Sequence, residues 1–178
     1  MCELIVVSDA RRFPYMLLRL CESLERVPWI SAINSTAWII SIVWLIHYLG
    51  VFLMVGTIVF LDLRILGLAG KGHSVAQLAG GLFPWTWTGL GMVVLSGLLM
   101  FAGQATTFYS APFFRIKIAW LVLALICLVV QRKVPRWDQL DQWKDLPRGA
   151  KWLAMASLVL WIGAILASLE VPAFTPGI

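Results

Sequence analysis

Apolar residues run almost unbroken from Ala37 to Leu61, a stretch of 25 residues without a formal charge. As a helix at 1.5 Å per residue it is about 37 Å long and crosses a bilayer with some tilt. Asn34, Ser35 and Thr36 stand before it and suit a helix start. The helical pattern continues through Asp62 and Arg64 to Leu68, where Ala69-Gly70-Lys71-Gly72 stops it. Three further apolar stretches follow, so the expected spans are 37–61, 85–102, 112–130 and 152–169.

Between them the pattern changes. In residues 15–27, Leu17, Leu20, Cys21 and Leu24 recur at helical spacing while Arg19, Glu22, Ser23 and Arg26 fall on other faces. That predicts an amphipathic helix at the membrane surface, ended by Pro28. Residues 74–84 read as a weakly amphipathic interfacial segment, with Trp85 and Trp87 as an aromatic belt at headgroup level. Residues 103–110 read as a polar connection, and 131–151 as a charged loop whose Trp137 and Trp143 keep it on the surface. Pro172 and Pro176 end the chain without further structure. The expected fold is all-α: one integral-membrane four-helix bundle spanning residues 1–178, with an N-terminal amphipathic interfacial helix.

Composition strengthens this reading. Hydrophobic residues make up 61% of the 178 positions and charged residues 13%, where a soluble domain has roughly half and a quarter. Mean hydropathy is +0.88. These values exclude a disordered chain, a basic nucleic-acid-binding domain and most soluble enzymes. The net charge of +5 is therefore read as topology and lipid headgroups, with the bilayer as partner and no nucleic acid. Eight Lys and Arg lie after the first span and between the third and fourth, against six on the other side. The positive-inside rule places the eight in the cytoplasm and both termini in the periplasm. Cys2, Cys21 and Cys127 are too scattered for a disulfide framework or a Cys-x-x-Cys motif. The N-terminus lacks the pattern of a cleaved signal peptide.

His47 carries the most chemical information. It stands about eleven positions into the first span, where an ionisable group is expensive and marks a candidate site. Three roles are open to it: a hydrogen bond across the bundle, an axial ligand to haem b or copper, or a proton relay. The only other histidine, His73, lies beyond the end of that span and over 30 Å along a straight helix, out of reach of a shared iron. Met54, Met92, Met100 and Met155 are candidate thioether partners that equally fill a core. Asp62 and Arg64 close the span, as interface anchors or with Asp62 paired to a Lys or Arg from 131–136. Gly163 with Ala167, and Ala164 with Ser168, give the last span small residues four apart for close helix contact. No nucleophile–base set, phosphate loop or zinc motif occurs, so a non-enzymatic role is expected.

The ordered strings His47-x-x-Gly50, Gly56, Asp62-Leu63-Arg64-x-Leu66-Gly67, Pro84-Trp85-x-x-x-Gly89 and Pro112-x-Phe114-Arg115-x-Lys117 resemble an uncharacterised family of small bacterial inner-membrane proteins, a domain of unknown function. The resemblance covers about residues 20–170 and implies a bacterial four-helix membrane protein without an established activity. A looser likeness extends to membrane proteins of the copper-resistance D type and to small b-type cytochrome domains, both of which use histidines in helices. The family pattern implies a histidine at the end of the third helix, where this chain has Gln131, so a two-histidine site is incomplete here. The function expected is an accessory or structural subunit among other membrane protein subunits. The alternative is a haem b or copper protein that uses His47.

Overall fold

The computed structural model describes residues 16–70, 72, 74–133 and 148–173. Among them are seven helices: α1 (residues 16–25), α2 (Pro28–Ser35), α3 (Ala37–Ile65), α4 (Val75–Gly103), α5 (Ala105–Ser110), α6 (Pro112–Lys133) and α7 (Arg148–Ala173). The described residues contain no strand. Helices α3, α4, α6 and α7 are long and apolar enough to cross a membrane. The chain is a multi-pass, all-α membrane protein.

Their outer faces are what a bilayer requires. Large apolar side chains such as Phe52, Leu95, Val159 and Leu166 are more than half exposed. Lipid solvates them as well as a core would, so what holds the helices together is close packing rather than apolar burial.

Two antiparallel pairs build the bundle. Helix α3 packs along the length of α4, α6 packs on α7, and the pairs join where α3 meets α7. The join is filled by Met54 and Ile58 of α3, Ala124 and Leu128 of α6, and Trp161 of α7. A second cluster closes one end with Leu61, Ile65, Val75, Ala79 and Ala154.

Helix boundaries follow local chemistry and revise several expectations. Helix α3 ends at Ile65, not at 69–72. Gly67 takes φ 78°, the Leu68 N–H reaches Leu63 O at 2.9 Å, and the Gly67 N–H reaches Arg64 O at 3.0 Å. That is a Schellman stop, which needs a residue tolerant of positive φ just past the helix.

The second span begins at Val75, not at Trp85. Ser74 caps it, accepting from the Gln77 N–H at 3.1 Å while the Gln77 side chain reaches back to the Ser74 N–H. Residues 75–84 are thus part of the span rather than interfacial. Pro84 sits inside the helix, where membrane surroundings tolerate it. Gly80, four residues earlier, has no side chain to add to the crowding by the Pro84 ring.

Pro28 does end α1, but it also occupies the first turn of α2, where its missing N–H costs nothing. Residues 103–110, expected as a connection, contain α5. Helix α7 continues through Pro172 to Ala173, past the expected end at 169. Residues 134–147, with Trp137 and Trp143, lie outside the described residues.

Candidate functional site

Helices α3 and α4 approach most closely at two glycines. A Cβ on Gly89 would stand 2.7 Å from the Met54 backbone nitrogen and 2.8 Å from Gly50 O. A Cβ on Gly50 would stand 2.8 Å from Met92 Cβ. Only hydrogen fits there, so the sequence sets this crossing through absent side chains. Along α4, Val75, Ala79, Leu82, Thr86, Gly89, Val93 and Ser96 alternate steps of four and three, which keeps one stripe turned to α3.

Two polar links rise from this crossing. One turn away, Thr57 Oγ1 and Thr86 Oγ1 stand 2.8 Å apart; one hydroxyl donates to the other, which donates in turn to a carbonyl of its own helix. On the other side, His47 Nδ1 lies 3.0 Å from Ser96 Oγ. The Ser96 hydroxyl also reaches Met92 O of its own helix. Either group can supply the proton of the His47–Ser96 bond, and the Val93 backbone carbonyl also lies within hydrogen-bond reach of the imidazole. The ring packs beside Gly97, where a Cβ would stand in ordinary contact 3.4 Å from Cε1. Lys117 of α6 lies within electrostatic reach of this histidine.

A groove of about 450 Å³ opens beside Ser96 on the lipid-facing side, bounded by Val43, Ile46, Trp87, Gly91, Met92 and Leu95. Trp85, ten residues inside α4, is 58% exposed. It stands about 15 Å along the helix from Val75.

The second polar centre lies at the opposite end of α3. Asp62 is wholly buried, and Gln131 Nε2 of α6 donates to its Oδ1 at 2.7 Å. Ser157 of α7 lies beside the same carboxyl and is also wholly buried. Cys127, one turn before Gln131, sends its thiol toward Leu153 O at 3.7 Å. Asp62 was expected to anchor at the interface or to pair with a Lys or Arg of 131–136. It instead bonds the neutral Gln131, and among the described residues no Lys or Arg forms an ion pair with it. Helix register explains this: Asp62 faces the α6–α7 seam, between the buried neighbours Ile58, Leu61 and Ile65. Arg64, two residues on, points elsewhere and lies near Gly70.

The remaining candidates are placed as follows. Gly163 packs under the Trp120 ring, with a would-be Cβ 3.0 Å from it, so the small residue serves contact within the α6–α7 pair. Ala164 is buried and accepts a 2.7 Å bond from Ser168 Oγ, whereas Ala167 is half-buried. Met54 is in the core, Met92 packs at Gly50, and Met155 faces outward. His73, Cys2 and the Glu170 side chain lie outside the described residues.

Among the described residues no three His, Cys, Asp or Glu come together to hold a metal. For haem or copper, His47 offers one imidazole nitrogen without a second strong ligand of this chain beside it, so the residues described do not furnish a complete site.

Sequence reasoning missed Gln131 as the partner of Asp62, Ser157 as its buried neighbour, and Ser96 as partner of His47. The available signal was polar side chains inside otherwise apolar runs. Compared with family models, curated proteins and solved structures, the chain matches none.

Proposed function

We propose that this chain is an accessory, non-catalytic subunit that holds a helix of another membrane protein against the outer face of α4. The supporting observation is a bare small-residue stripe. Gly80, Pro84, Thr88 and Gly91 follow one another at helical spacing on α4 and all are exposed. A Cβ at Gly80 or Gly91 would meet nothing within 4 Å. Small residues let helix backbones approach in a membrane, and the groove beside Gly91 can take the side chains of such a helix. The assembly belongs in a bacterial inner membrane, with the α3–α4 turn and the α6–α7 connection in the cytoplasm and both termini in the periplasm.

Gly91→Leu tests this reading. The space around Gly91 is open, so the variant folds as the parent does. The parent, extracted gently from its native membrane, runs with a larger complex on a native gel, and Gly91→Leu runs alone. A parent that runs alone overturns the proposal.

A second reading rests on the placement of His47 inside a membrane-spanning helix. The Ser96 contact is made through Nδ1, so the ring's other nitrogen, Nε2, lies outside that bond, and a neutral imidazole nitrogen is a common ligand of haem iron or copper. A further ligand then comes from outside this chain. Oxidised and reduced visible spectra with metal analysis test it. A colourless, metal-free complex removes it.

A further inference from the structure

Three buried oxygen atoms at the α3–α6–α7 seam have no hydrogen-bond partner among the described residues: Asp62 Oδ2, Gln131 Oε1 and Ser157 Oγ. Their side chains come from three different helices and are at most 1% exposed. An orphaned polar atom costs about 1–3 kcal/mol, so three together require an account.

Counting donors and acceptors supplies one. If Asp62 is a carboxylate, Oδ2 and Oε1 are both acceptors and the Ser157 hydroxyl is the one donor among the three. Within the three, one acceptor is then left bare; the other unpartnered polar atom of α7, the Trp161 Nε1–H, belongs to the cluster of Met54, Ile58, Ala124 and Leu128. The Cys127 thiol, a weak donor beside Ser157, is directed at Leu153 O at 3.7 Å. No titratable group of α4 can help, because that helix contains none. With a proton on Oδ2 the count closes. The Oδ2–H donates to Ser157 Oγ, the Ser157 O–H donates to Gln131 Oε1, and Gln131 Nε2 donates to Oδ1 as observed. An alkali or divalent cation is less well served, because hard cations take six or more oxygens and this seam offers three free ones.

We propose that Asp62, Gln131 and Ser157 form an intramembrane proton-binding site, with the proton on Asp62. The ligand is a proton, and the site lies one turn from the charged end of α3, where a proton can enter or leave. It is independent of the α4 docking face.

Infrared difference spectroscopy of the whole protein in lipid tests it. At neutral pH, parent minus Asp62→Asn shows the carbonyl band of a protonated carboxylic acid, moved by exchange into D2O. A carboxylate signature in its place overturns the proposal. Loss of the band on adding sodium at fixed pH also overturns it, making this a cation site. Should Asp62→Asn fail to fold, Ser157→Ala decides: the acid band shifts in frequency because its acceptor is gone. A parent spectrum without any such band, unchanged in Ser157→Ala, overturns the proposal.

Discussion

The two ends of α3 handle an ionisable side chain in opposite ways. His47 is half-buried and rests on the neighbouring helix alone, against Ser96 and the Val93 backbone. Asp62 is sealed among three helices and holds only part of the hydrogen bonding its surroundings could give. The first arrangement links two helices that already touch along their whole length. The second ties α3 to α6, whose backbones do not approach closely, so side chains alone make that connection. A polar group in a membrane protein is therefore best weighed by which helices would separate without it.

The largest expected effect tests whether the His47 end depends on backbone approach. Gly89→Val forces a branched side chain against the Met54 backbone and lowers stability by about 3 kcal/mol, read as loss of resistance to denaturing detergent. Asp62→Ala comes next. It orphans Gln131 Nε2 and leaves a gap between α3 and α6, for a loss of roughly 2 kcal/mol in the same assay. Asp62→Asn, whose amide can donate to the seam, stays within about 1 kcal/mol of the parent. If the two Asp62 variants are equally damaging, charge rather than hydrogen-bond count governs that end. Thr57→Val and Ser96→Ala each remove one link across α3 and α4 and cost about 0.6 kcal/mol apiece. A Ser96→Ala loss as large as that of Asp62→Ala would erase the difference between the two ends.

Much of the fold was legible because span length and hydrophobicity are local. The first span starts at Ala37 as expected, since three polar residues precede an unbroken apolar run. The start of α4 was misplaced because Gly80, Gly81 and Pro84 dilute its first turns, although Ser74 and Gln77 are spaced as a capping box. At the candidate sites, the residues were visible and their partners were not. His47 and Asp62 announce themselves by being costly in a membrane. Ser96 and Gln131 become partners only through helix register, and Asp62 and Gln131 are 69 positions apart.

One contact at the far side of the bundle bears on how the chain assembles. Glu25 of α1 accepts hydrogen bonds from the backbone N–H of Thr106 at 2.8 Å and from its hydroxyl at 2.7 Å, and so caps the first turn of α5 across 81 positions. At a synthesis rate of about 5–20 residues per second, Thr106 emerges on the order of 4–16 s after Glu25. For that interval α1 exists without this anchor, which forms only after α3 and α4 have been made. The nascent chain thus keeps a free leading arm while its first hairpin inserts, and Glu25 latches it once that hairpin is complete.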